Sequence, residues 1–223
     1  MRLRDHVGVS KRRQRHLSRG MQLALFGMLF VALDRQSPSL LVTTSTGLAV
    51  TFLPGVLERD LDIPMDAGLT LWITAAAFLH TIGVAGLPGT GTSLYAGIPY
   101  YDHMTHALSA SVVTGVGYAT VRALDEHSEG IHLPPRYMFA FLLVFVIAFG
   151  VIWELLEFGI AVVSGAVGLS STGFTQHGLD DTLLDLVFNA IGGVVVAVWG
   201  TAYLTGVAEA LRNRFETRQS PQK

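Results

Sequence analysis

An all-α bundle of about six membrane-spanning helices, with both termini in the cytoplasm, is the architecture this sequence predicts. Three observations predict it. Half of the 223 residues are hydrophobic and only 14% are charged, against about 25% charged in an ordinary soluble domain. The apolar residues gather into six runs, each near the roughly 20 residues that cross about 30 Å of hydrocarbon. With six spans, fourteen of the fifteen Lys and Arg residues fall on one side of the membrane. The alternative is a soluble all-α protein with buried helices. Several nearly uncharged runs of about 18 residues or more leave too few polar residues to cover such a fold.

The elements follow in order. Residues 1–20, MRLRDHVGVSKRRQRHLSRG, hold seven of the Lys and Arg residues and form a basic cytoplasmic segment. The apolar run 21–33 that follows has the layout of a secretory signal. The next residues, Asp34-Arg35-Gln36-Ser37-Pro38, lack a small-x-small cleavage pattern, so the run reads as an uncleaved first span. The second span covers 40–57; its Thr43-Thr44-Ser45-Thr46 patch can bond back to carbonyls within a helix. The third covers 67–86, the fourth 102–124, the fifth 135–163 and the sixth 179–204. The six-span domain is thus 21–205, and 206–223 is a polar cytoplasmic tail. The connectors 87–99 and 164–178 are rich in Gly, Ser and Thr, and Gly89-Thr90-Gly91 reads as a flexible turn.

The charge count fixes the orientation. The N-terminal seven, Arg59, Arg122, Arg136, Arg212, Arg214, Arg218 and Lys223 share one side, and only Arg35 falls on the other. The positive-inside rule makes the crowded side cytoplasmic, in a plasma membrane. The N-terminal charges serve as a topogenic anchor, or as a patch for anionic lipid. The same composition excludes a disordered chain, an acidic tail protein and a typical cytosolic enzyme. Without cysteine there is no disulfide framework, thiolate nucleophile or Cys-ligated metal. The partner the sequence implies is the lipid bilayer; no nucleic-acid partner is expected.

Ionisable residues inside spans cost about 2.5–3.5 kcal/mol each on insertion scales, so each needs a reason. The fourth span carries Asp102 and His106, four apart; the fifth carries Glu154 and Glu157, three apart. On the sixth, Asp181, Asp185 and Asn189 recur every four residues. Residues three or four apart share a helical face, so each helix presents a polar stripe. At 1.5 Å per residue, His106 lies roughly 6 Å below the outer end of its span, and Glu157 and Glu154 roughly 9 and 14 Å below theirs. Asp185 and His80 fall at comparable depth. All the stripes therefore occupy the outer half of the membrane. His103, Asp180 and His177 sit at or beyond helix ends and are expected to be solvated.

So many acids need compensation by protons, a cation or water. Carboxylate-bearing helices facing a His-bearing helix also build metal sites in bundles. Oxygen-rich ligation with one or two imidazoles suits Mg²⁺, Mn²⁺, Zn²⁺ or non-haem Fe. The candidate ligands are His106, Glu154, Glu157, Asp181 and Asp185; with Asp102 they are also the candidate catalytic residues.

The chain resembles the uncharacterised multi-spanning membrane family that includes the enterobacterial inner-membrane protein YjdF. The likeness rests on TFLP at 51–54, YDHMTHALS at 101–109, WELLEF at 153–158 and GLDDTLLDL at 178–186, and covers about residues 50–200. A looser likeness is to VanZ-like membrane proteins, through Asp102/His106, Glu154 and Asp185/Asn189/Gly192; where those usually carry Gln, this chain has Glu157. The VanZ-like resemblance implies a connection with the cell envelope.

Three readings of function stay open. In the first, a divalent ion on the acids activates water or polarises a phosphoryl oxygen of a lipid or lipid-linked substrate, with His106, oriented by Asp102, as general base or ligand. No H-E-x-x-H, G-x-S-x-G or phosphate loop supports it. In the second, the acids carry a cation or protons in a transporter, whose missing inverted repeat would be supplied by an oligomer. In the third, the cluster only fixes helix packing.

Overall fold

The computed structural model describes residues 10–86, 92–128, 130, 132–166 and 178–219. Eight helices follow one another: α1 Lys11–Asp34, α2 Pro38–Leu61, α3 Ala67–Ala85, α4 Leu94–Gly97, α5 Tyr101–His127, α6 Pro135–Ala166, α7 Leu179–Trp199 and α8 Thr201–Gln219. Six of them, all but α4 and α8, are long and apolar enough to cross a membrane. No strand occurs among the described residues. The proposed turn at Gly89-Thr90-Gly91 and His177 lie outside the described residues.

Two helices depart from the expected bounds. α1 starts ten residues before the apolar run, at Lys11, where Ser10 caps it by accepting from the Arg13 backbone N–H at 3.3 Å. An arginine-rich stretch is a good helix former, so the helix extends beyond the apolar run by almost three polar turns. The sixth span ends at Trp199 instead of 204. After Gly200 the chain becomes α8, whose Arg212 pairs with Glu126 at the end of α5 at 3.5 Å.

Packing divides the bundle into two units. α1, α2 and α3 pack on one another; α5 packs on α6, α7 and α8. The units meet along α3 and α5, with α4 bridging them. Trp72 on α3 donates to the Ser111 hydroxyl on α5 at 3.0 Å across this seam. Among the described residues, α2 and α6 do not pack directly on each other, nor do α1 and α7.

In a bilayer, large apolar side chains need not face inward. Leu23, Phe26, Phe30, Val144, Leu155 and Val187 are exposed on the outside of the helices. The interior is built instead from small and hydroxyl residues, including Thr44, Thr74, Thr81 and Thr114, together with an apolar cluster of Tyr118, Met138, Leu142, Val196 and Leu204. α5 and α7 share the most extensive contact among the described residues. A Cβ on Gly192 would run into the Ala107 carbonyl of α5, and one on Gly193 would lie 2.7 Å from Val146 of α6. α2 contains Pro54, which has no N–H to donate. Gln22 of α1 bonds the neighbouring Thr51 carbonyl at 3.0 Å.

The bundle has two chemically distinct ends. At one end Arg214 approaches Asp62 at 3.6 Å, Arg212 approaches Glu126, and the Leu133 N–H bonds Asp125 at 2.7 Å. This end gathers the α2–α3 and α5–α6 connections and the start of α8. At the other end Arg35 caps the last turn of α3, donating to the Ala85 carbonyl at 3.1 Å.

Candidate functional site

The polar residues converge at the Arg35 end, on α5, α6 and α7. α5 and α7 both begin there, with Asp102 in the first turn of one and Asp180 and Asp181 in the first turn of the other. Helix N-termini carry about half a positive charge, which favours carboxylates in exactly those turns. One turn further in, His106 on α5 and Asp185 on α7 are buried.

Asp185 is the hub. It is 2% exposed, and one oxygen lies 2.7 Å from Nδ1 of His103. Its other oxygen is 3.8 Å from Nε2 of His106, which is 3.6 Å from Asp102 Oδ1. α6 adds the second acid pair. Thr182 of α7 donates to Glu154 Oε2 at 3.0 Å, and the Trp153 indole donates to Glu157 Oε1 at 3.0 Å. Glu154 is 5% exposed, and its Oε1 has no hydrogen-bond partner among the described residues.

Among the described residues, three sets of side chains bring one ligand atom each to within 4.8 Å of the others: Asp102, His106 and Asp185; His103, Asp181 and Asp185; His106, Glu154 and Glu157. His106 and Asp185 each belong to two sets, so the ligand atoms form one continuous chain across three helices. The six residues singled out in the sequence, Asp102, His106, Glu154, Glu157, Asp181 and Asp185, all lie in it.

The electrostatics are one-sided. Stretches 60–121 and 137–211 contain no Lys or Arg. Five carboxylates, on Asp102, Glu154, Glu157, Asp181 and Asp185, therefore share a low-dielectric region with histidines as the only cationic side chains these stretches offer. Such a set needs protons, a metal ion or a ligand cation to balance it.

His103 overturns an expectation. Its place in the first turn of α5 suggested a solvated residue, yet it is 9% exposed. Phe188 of α7 stacks on its ring at 5.2 Å between centroids, and Asp185 holds its Nδ1. α7 lies so close to α5 that it covers even the first turn. The available signal was the three-residue spacing to His106, which puts both rings on one side of the helix. Asp180, by contrast, is exposed as expected.

His80 on α3 sits beside this cluster. Its Nδ1 lies 2.9 Å from the Tyr95 hydroxyl, and its ring meets Trp153 edge-on at 5.7 Å. Tyr95 comes from α4, and Tyr101 also ties back to α3 through the Leu79 carbonyl at 2.8 Å. Sequence reasoning did not find Tyr95, Trp153 or Thr182 as supporting residues, since a hydroxyl or indole near an acid has no spacing signature. Burial pushes the Tyr95 hydroxyl pKa well above the ordinary tyrosine value.

Below the cluster, a cavity of about 320 Å³ extends toward the middle of the bundle. His106, His80, Trp153 and Asn189 line its upper part, and Ala77, Val113 and Phe149 are among its apolar walls. A second cavity, about 630 Å³, lies on the other side of the α3–α5 seam, lined by Leu17, Trp72, Leu108 and Trp199 among others.

The family model described as "Predicted membrane protein (DUF2238)" matches residues 17–206. The chain belongs to this family. The match takes in the first span, which the motif-bearing segments at 50–200 left out. A protein from Thermotoga maritima, described only as uncharacterised, is 29% identical over 147 residues, 66% of this chain and 68% of that one. No solved structure matches the chain.

Proposed function

We propose that this multi-pass membrane protein is a metal-dependent enzyme acting on a lipid or lipid-linked substrate of the cell envelope. The observation that carries the reading is Glu154. One of its oxygens is buried with no hydrogen bond among the described residues, and the residue groups with His106 and Glu157 on helices whose buried stretches hold no Lys or Arg. An unsatisfied buried carboxylate oxygen is costly, and a cation removes that cost. The ligands would come from His106, Glu154, Glu157, Asp181 and Asp185. The mixed oxygen and imidazole set suits Mg²⁺, Mn²⁺, Zn²⁺ or non-haem Fe. A bound divalent ion would polarise a phosphoryl or carbonyl oxygen or lower the pKa of a water. Asp102 would orient His106, which accepts the proton. The positive-inside count supports a cytoplasmic basic end, with both termini inside, and a cluster facing the outer leaflet of the plasma membrane.

A transporter is the second reading. It is favoured by the two cavities that flank a single α3–α5 seam between two helical units, the arrangement a rocking motion would exploit.

Elemental analysis of the detergent-purified protein, beside a Glu154→Ala/Asp185→Ala variant that stays monodisperse, tests the proposal. Near-stoichiometric metal in the wild type and none in the variant is the expected result. Absence of metal from both, after purification without chelator and with divalent ions supplied, would overturn the enzyme reading and turn attention to proton or cation transport.

A further inference from the structure

The 320 Å³ cavity has a shape that the metal reading does not use. Its walls come from α2, α3, α5, α6 and α7. Each of the five packs on at least one other around it, but among the described residues α2 and α6 do not pack on each other. The gap between them opens sideways, where the bilayer would be. The rim residues Val50 of α2 and Phe149 of α6 are exposed.

The cavity also has a direction. On α5 it runs from Thr105 and His106 to Val112 and Val113, and on α3 from His80 and Thr81 back to Ile73. Eight residues of helix cover about 12 Å. The cavity therefore descends from the ionisable cluster to the level of the hydrocarbon core. Its polar groups are concentrated at the cluster end; its lower walls are Val, Ile and Ala. Thr43, 5% exposed, lines the same wall near the start of α2, and its hydroxyl has no hydrogen-bond partner among the described residues.

We propose that this cavity seats one hydrocarbon chain of a bilayer lipid, which enters sideways between α2 and α6 and presents its headgroup to His106 and the acids beside it. The proposal deepens the reading of the cluster as a catalytic site, and rests on that reading only for the headgroup end. The volume is that of a small-molecule pocket. A helix from a second copy, about 10–12 Å across, does not enter it. A water-soluble substrate would gain nothing from apolar walls at this depth, whereas a lipid chain exchanges one apolar environment for another and keeps its headgroup at the polar level.

The test uses the full-length protein in vesicles of phosphatidylethanolamine and phosphatidylglycerol, doped with phosphatidylglycerol that carries a diazirine midway along one acyl chain. After illumination, labelled residues are mapped by peptide mass spectrometry. Labelling of Ala77, Val113 or other cavity walls is expected in the wild type, alongside Val144 and Leu155, which face the bulk lipid. Ala77→Phe should abolish the cavity labels and leave those at Val144, Leu155 and the metal content unchanged. Should that variant fail to fold, Val50→Trp at the rim provides the same block from outside.

Labels confined to Val144, Leu155 and other outward positions would overturn the proposal. So would cavity labels that survive both blocking variants, or cross-links that place a second copy of the chain in the gap between α2 and α6. The two readings fail separately. Cavity labelling without metal sinks the metalloenzyme and leaves the lipid seat; metal without cavity labelling does the reverse.

Discussion

The two helical units solve the problem of polar groups in a membrane in different ways. The α1–α3 unit buries hydroxyls. Thr43, Thr44 and Thr74 are buried with no partner for their side-chain oxygens among the described residues, and Thr81 bonds back to the Ala77 carbonyl at 2.8 Å. Each of these groups is neutral, and a hydroxyl can share a carbonyl of its own helix at little cost. The α5–α7 unit also buries hydroxyls that bond back, Ser111 and Thr114 among them, but adds ionisable groups and links them from helix to helix: His103 to Asp185, Thr182 to Glu154. The first unit could be made from apolar residues and still pack. The second has no such substitute, because every buried acid depends on a group supplied by another helix. On the proposed reading, the second unit carries the site and the first is its scaffold.

The largest expected effect follows from the hub of the second unit. Asp185→Ala leaves His103 without its partner and removes one member of two ligand sets. Breaking one side of a buried pair costs about 3–5 kcal/mol. The variant should lose a large part of its thermal stability in detergent, read by fluorescence-detected gel filtration after heating. Asp185→Asn keeps the shape and one acceptor, so it should unfold closer to the wild type while still losing bound metal. If Asp185→Ala is as stable as the wild type, the hub is not structural and the contrast between the units fails.

Much of this was legible in the sequence, for physical reasons that differ by residue. Six spans are readable because hydrocarbon thickness sets helix length and leaves no choice of secondary structure. The stripes at 102/106, 154/157 and 181/185 are readable because acids in apolar runs are conspicuous and helical spacing puts them on one face. His103 was not, because its burial depends on how near α7 comes to α5. That in turn depends on Gly192 meeting Ala107, a contact between residues far apart in the chain. Tyr95 was hidden similarly, in a short helix inside a connector rich in Gly and Ser. The helical course of residues 206–219 was missed because the polar tail lacks an apolar run, and its pairing with α5 goes through Arg212 and Glu126.

Close helix contacts sharpen the comparison at intermediate size. A Cβ at Gly192 would strike the backbone carbonyl of Ala107, which moves only if α5 and α7 separate. A Cβ at Gly47 in the first unit would meet the Thr81 hydroxyl, a side-chain group that can turn away. Gly192→Ala is expected to cost about 1–3 kcal/mol, the usual cost of overpacking. It should also weaken the His103–Asp185 contact, and with it metal retention. Gly47→Ala should cost about 1 kcal/mol or less and leave metal content untouched. Melting curves of the two variants, with metal analysis of each, check both statements; equal losses would mean that the seam between α5 and α7 is no more exacting than that between α2 and α3.

The smallest effect is the most discriminating. Thr74→Val removes a buried hydroxyl that has no partner among the described residues, so its loss should be neutral or slightly stabilising, within about 0.5 kcal/mol. Thr182→Val makes the same chemical change in the other unit, but there the hydroxyl donates to Glu154 Oε2. Hydrogen bonds to charged groups contribute about 1.5–3 kcal/mol, and here the lost donor would leave both oxygens of a buried carboxylate unsatisfied. Thr182→Val should therefore melt earlier than Thr74→Val by several degrees. Added divalent metal should recover part of that difference, because an ion bound at Glu154 stabilises the folded state by mass action. Thr74→Val should not respond to added metal beyond the wild type. Identical melting of the two variants, with or without metal, would mean that Glu154 does not draw on Thr182 and that the two units handle their polar groups alike.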